Sequence, residues 1–252
     1  MEISITGPKI YGYIPIDFPI LGKIAITETL VMSWIVMLII TLLCIWLTRG
    51  LKVEGISKKQ AVAEWLVELA DNFVIGNMGS KFKYLVPFIA ALLSTSLFSN
   101  MISLFGVWSP TADLNTEAAW AIVVFVMITA QKIKTSGFGG YLKGYTEPIV
   151  ILTPFNILSE LATPISMACR HFGNILSGVV INGLIYESLA VASAALLGLL
   201  PGAVGVFLSN IPILDVGLPA ILSVYFDWFT GVMQAYIFCM LTTMYIASAA
   251  EE

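Results

Sequence analysis

NILSELATPISMACRHFGNILSGVV, running from Asn156 to Val180, sets a permanent charge, Arg170, in the middle of an apolar stretch. An arginine does not release its proton inside a protein. Holding it near the centre of a bilayer costs about 2.5–3.5 kcal/mol even on a lenient insertion scale. After Lys143 no other side chain is cationic at neutral pH. A lone intramembrane charge needs a carboxylate, water or a task, so the candidates are a static pair with Glu160 or Glu187 and a working charge. The flanking pattern favours the second. Asn156, Ser159, Glu160, Thr163, Ser166, Arg170, Asn174 and Ser177 recur every three or four residues and share one helical face. Such a stripe is costly against lipid and is expected to face a wet path or another protein. Gly173 and Gly178 keep that face thin enough for a neighbouring helix to approach.

The last apolar segment carries a shorter stripe of the same kind: Ser223, Asp227, Thr230, Gly231 and Gln234. Asp227 is expected to be wet or paired, and Gln234 either locks the two helices together or serves the same path. The single histidine, His171, lies about 100° around the helix from Arg170 and off the stripe, which favours a packing or interfacial role over proton relay. Asn100 is expected to bond one helix to another.

Composition agrees with a membrane setting. Of 252 residues 58% are hydrophobic and 11% charged, against about 25% charged in soluble domains. Spans are expected at 26–47, within a helical hairpin over 84–133, and in a long hairpin over 149–250. Nine of the twelve Lys and Arg lie at Arg49–Lys59, Lys81–Lys83 and Lys132–Lys143. By the positive-inside rule these stretches are cytoplasmic, the N-terminus is outside and the C-terminus cytoplasmic, giving five crossings. Met1 to Pro19 has no secretory signal pattern.

Over 57–76, Val62, Trp65, Leu66, Leu69 and Phe73 line one helical face and Glu64, Glu68 and Asp71 the other, the pattern of an amphipathic helix on the membrane surface. The segments from Asn156 to about Leu200 and from Ile213 to Ala250 are roughly twice the ~20 residues that a perpendicular span needs. A strongly tilted hairpin turning at Pro201–Pro212 accounts for both. The fold class is therefore an all-α, polytopic membrane protein of one domain (1–252), with about five crossing helices and one surface helix.

Cys44, Cys169 and Cys239 are an odd set in apolar stretches and are expected to be small buried packing residues. No phosphate-binding loop, zinc motif or dinucleotide fingerprint stands in a credible context, so no cofactor, catalytic residue or resident metal is expected. A stand-alone secondary transporter with an anion site at Arg170 is the alternative, but it predicts internal repeats, and none is detectable.

Three separated motifs resemble one family. Pro164–Ile165–Ser166 with Arg170–His171–Phe172–Gly173–Asn174–Ile175, Pro110–Thr111–Ala112–Asp113–Leu114–Asn115–Thr116, and Gln234–Ala235–Tyr236–Ile237–Phe238 with Tyr245–Ile246 are similar to signatures of subunit a of F-type ATP synthases. The resemblance covers essentially 20–252. It implies the ion-translocating stator subunit of a rotary machine, in the plasma membrane of a bacterium, non-catalytic by itself. It implies two offset half-channels to a c-subunit ring, with peripheral-stalk b subunits and lipid as further partners and no nucleic acid. On that resemblance Arg170 is the essential arginine, Asn174 its neighbouring asparagine, Gln234 the last-helix glutamine and Asp227 a titratable outer-channel residue; the stripe residues Glu160, Asn156, Ser159 and Ser177 are expected to line the same path, of H+ or a transient Na+. The chain departs from the family at Val179, where many relatives carry Glu or His, and at His171, where an apolar residue is common. Without a titratable group at Val179 the outer route rests on Asp227, and oxygen ligands from Asp227, Gln234, Asn174 and Ser177 favour Na+ as the ion.

Overall fold

The computed structural model describes residues 8–18, 22–198, 222 and 224–251. Five helical stretches among these residues are long and apolar enough to cross a membrane: Glu28–Thr48, Ser80–Phe105, Leu114–Gly144, Val150–Gly198 and Thr230–Ser248.

The chain opens with a feature that the sequence reading did not assign, an antiparallel hairpin of β1 (Ile10–Phe18) and β2 (Gly22–Thr27). Its register, with Ile10 opposite Thr27, delivers the backbone N–H of Glu28 to the carbonyl of Lys9 at 2.8 Å. Helix α1 (Glu28–Thr48) follows at once, capped by Thr27, whose hydroxyl accepts from the Leu30 N–H. Most of α1 is exposed and apolar, as lipid contact requires.

Helix α2 (Lys58–Met78) is capped by Ser57, holds the preceding loop through buried Gln60 in its first turn, and packs its last turns on the bundle. Val74 and Met78 are buried, and Phe73 meets Tyr236 edge-on at 5.5 Å. Val62, Trp65, Leu66 and Leu69 stay exposed, an apolar strip on an otherwise charged helix. Helix α3 (Val86–Met101) begins with proline in its first turn, where a missing N–H is harmless.

Helix α4 (Leu114–Gly144) is capped by Asp113, which accepts from the Asn115 N–H at 3.0 Å and from the Thr29 hydroxyl of α1 at 2.6 Å. Glycine 137 interrupts α4 with φ 73° and ψ 164°, so the helix turns before its last residues. Helix α5 (Thr153–Gly198) has 46 residues, about 69 Å at 1.5 Å per residue, more than twice a hydrocarbon core of ~30 Å. After a wide helical turn at Val224–Phe229 comes α6 (Thr230–Ser248). Helices α5 and α6 run antiparallel: Asn156–Thr163 face Tyr245–Ser248, and Arg170 faces Gln234–Leu241. The expected turn at Pro201–Pro212 lies outside the described residues.

The core joins α3, α4, α5, α6 and the end of α2 through Ile89, Val124, Met167, Phe238 and Ile246. The basic segment Ser80–Leu85 before α3 and the basic end of α4 meet on one side of this bundle, where Lys134 lies over the Tyr84 ring at 5.9 Å.

Candidate functional site

Helix α5 divides into two flanks, and the division explains the site. Met167, Ala168, His171 and Ile175 turn inward and are buried. Arg170, Gly173, Asn174 and Ser177 turn outward and are exposed, as the three- and four-residue spacing predicts. Among the described residues no side chain pairs with Arg170. Neither carboxylate considered as a static partner reaches it, and Glu160 instead accepts from the Tyr141 hydroxyl at 3.1 Å.

Toward the basic end of the bundle, α4, α5 and α6 enclose a cavity of about 700 Å³. Asn156, Ser159, Glu160 and Thr163 form one wall, and Lys132, Ser136, Tyr141 and Tyr145 another. The Gly137 turn brings the second wall in, by redirecting the end of α4 over α5. Asn156 donates to the carbonyls of Tyr145 and Glu147 at 2.9 and 3.1 Å, which fixes the loop against the helix. Pro164 lacks an N–H, so the Glu160 carbonyl four residues earlier loses its ladder partner beside the cavity. The phenols of Tyr141 and Tyr145 bond to each other. Burial, then the Glu160 and Tyr141 bonds, push the Tyr145 phenol above its ordinary range, so it stays protonated. Sequence reasoning missed both tyrosines, because they lie beyond the kink, on a segment without apolar periodicity.

Gln234 is buried on α6 and shares a void of about 10 Å³, near the size of one water, with Arg170 and His171. Its amide makes no hydrogen bond among the described residues. The side chain of Asp227 lies outside the described residues, although its backbone belongs to the turn Val224–Phe229.

Farther along α3 and α6, Asn100 donates to the Gly231 carbonyl at 2.7 Å and accepts from the Thr111 hydroxyl. Ser109 bonds Thr111 and donates to the Ser99 carbonyl at 2.7 Å. The expected helix-to-helix bond of Asn100 is therefore the centre of a buried polar node that holds the loop before α4.

His171 packs in the interior against a carboxylate. It is 1% exposed, its Nδ1 lies 3.1 Å from Oε2 of Glu117, and Glu117 is fully buried. Glu117 was legible in principle: it continues the buried face of Ala121, Val124 and Ile128 at helical spacing, a carboxylate where an apolar residue belongs.

Fold and site together define a polytopic helical membrane protein that presents an arginine, unpaired among the described residues, on the exposed flank of its longest helix. The chain matches the ATP synthase A chain family over residues 30–247, and it belongs to that family, the membrane-embedded subunit a of F-type ATP synthases. It is 32% identical to the sodium-ion-specific ATP synthase subunit a of Propionigenium modestum, over 98% of this chain and 86% of that one. It is 34% identical to ATP synthase subunit a 1 of Crocosphaera subtropica, over 89% and 87% of the two chains. Identity to subunit a 1 of Prosthecochloris aestuarii is 35%, over 92% and 93%. The protein is thus a multi-pass stator subunit of an ATP synthase complex.

Proposed function

We propose that this chain supplies the ion path between the two membrane faces and a rotating ring of c subunits, and that Arg170 separates the two halves of that path. The observation that carries this reading is the unpaired guanidinium on the exposed flank of α5, with the polar cavity opening toward one end of the same helix. A fixed cation lowers the pKa of a carboxylate that moves past it. The ring carboxylate therefore releases its ion before passing Arg170, and the same charge blocks a direct leak. The membrane potential supplies about 2.3 kcal/mol per charge per 100 mV, and this drives rotation only while the leak is closed.

Asn156, Ser159 and Glu160 line the cytoplasmic half-channel in this scheme. Asp227, Gln234, Asn174 and Ser177 serve the outer one. The basic ends of the helices face the cytoplasm, with the N-terminus outside. The exposed apolar strip of α2 rests on lipid beside the peripheral-stalk b subunits. The chain holds no nucleotide and takes no chemical step itself. The sodium-ion-specific relative supports Na+ as the coupling ion.

Arg170→Ala tests the core of the reading. ATP synthesis in inverted vesicles should vanish while the complex still assembles. Arg170→Lys should recover little, because a compact ammonium lacks the planar fork and loses its proton more easily in an apolar site. Near-normal synthesis with Arg170→Ala would refute the mechanism.

A further inference from the structure

Arg170 must hold one azimuth around α5 to meet a ring carboxylate, yet among the described residues no hydrogen bond or ion pair keeps its guanidinium there. The next residue does the holding. The His171 ring sits between Trp120 of α4 and Phe238 of α6, with centroids 6.4 and 5.5 Å away. Its Nε2 lies 3.5 Å from the Ser96 hydroxyl of α3, and its Nδ1 lies 3.1 Å from Glu117 of α4. One imidazole therefore ties α5 to three neighbouring helices. The contact sets a ring nitrogen against a carboxylate oxygen, and among the described residues neither Glu117 oxygen has another polar partner. Both groups are buried, at 0% and 1% exposure, so separating them strands a polar group in an apolar interior. An apolar contact tolerates a small roll of the helix, whereas a buried pair favours one register.

We propose that Glu117 and His171 are positioning residues for Arg170. The pair locks the roll of α5, and the ~100° step to the preceding residue then aims the guanidinium outward. This inference rests on the role given to Arg170 above. It gives a buried carboxylate on α4 and the lone histidine a shared task that the ion path itself does not use.

The test compares Glu117→Gln, His171→Gln, the double Glu117→Gln/His171→Gln and Arg170→Ala in the complete synthase. Synthesis per assembled complex and passive ion flux after removal of the soluble catalytic part are both read. Each single amide should lower coupled synthesis on the order of tenfold or more, the scale of loss for a misplaced working group, with the amount of complex retained. The double variant should recover most of it, because two amides can donate and accept across the same gap without titrating. Glu117→Asp, which keeps the carboxyl group on a shorter arm, should give a partial loss and covers the case of single amides that fail to assemble. Wild-type synthesis per complex in the single variants and in Glu117→Asp overturns the proposal, including when the amount of complex falls. A double variant that assembles but stays as impaired as the singles also overturns it, and points to proton carriage by the pair. Arg170→Ala separates the two levels. Its loss of coupling beside normal Glu117 and His171 variants refutes positioning alone, and its normal coupling refutes the stator mechanism itself.

Discussion

At the scale of single residues, two contacts carry most of the consequence. A methyl group on Gly231 would lie 2.9 Å from Cβ of Asn100, closer than the helices allow. Gly231→Ala should push α3 and α6 apart and break the Asn100 bonds, costing about 1–3 kcal/mol as overpacking does. A lower melting temperature of the purified complex is expected, and an unchanged one would contradict the close approach. Tyr145 gives a pH prediction. Its phenol is held above the ordinary tyrosine value, so the neutral form is favoured in the fold. The stability this contributes is present below the unfolded value, about 10, and is lost only as pH rises toward the folded one. A difference titration of wild type against Tyr145→Phe should show no tyrosinate step near pH 10. A step there would mean that the Tyr141–Tyr145–Glu160 cluster does not form.

At the scale of elements, the turn in α4 and the length of α5 build the cavity jointly. Glycine 137 adopts a backbone region essentially closed to other residues. Gly137→Ala should cost about 1–3 kcal/mol or straighten α4, and either outcome draws Tyr141 away from Glu160. Reduced ion-coupled synthesis and a lower melting temperature are expected together, and normal values for both would remove the kink from the mechanism. Helix α2 shows the opposite economy: its two ends are held, by Gln60 and by Val74 with Met78, and the apolar strip between is left for what surrounds the bundle. The capping contact of Asp113 with Thr29 anchors α4 to the start of α1, beside the β hairpin.

At the scale of the whole molecule, sidedness and ion identity can be measured. In a chain freed of Cys44, Cys169 and Cys239, cysteines at Asn156, Ser159 or Glu160 should react with impermeant thiol reagents from the cytoplasmic face. Those flanking Asp227 should react from the outer face, and reversed reactivity would invert the orientation. With Na+ as the coupling ion, ATP hydrolysis by the reconstituted complex should rise with Na+ concentration. Hydrolysis indifferent to Na+, with robust proton pumping, would assign the path to H+. Loss of coupled transport in Asp227→Ala is expected of the outer route, and normal transport in that variant would move the route elsewhere.

The sequence by itself determined the class, the number of crossings and the outward stripe of α5. Those properties follow from composition and from helical periodicity, which are local along the chain: Arg170, Asn174 and Ser177 share a flank because 3.6 residues make a turn. The Asn100 contact was legible in kind, since a polar amide in an apolar span needs a partner, but its partner was not. Only the tertiary structure decided that Glu117, 54 positions before His171 in the chain, meets it in the core, that Tyr141 reaches Glu160, and that Gln234 borders Arg170. The same holds for the β hairpin, whose short alternating strands are stabilised by pairing with each other. Contacts between distant segments depend on how helices cross and roll, and no periodicity within one segment encodes the partner that buries its polar face.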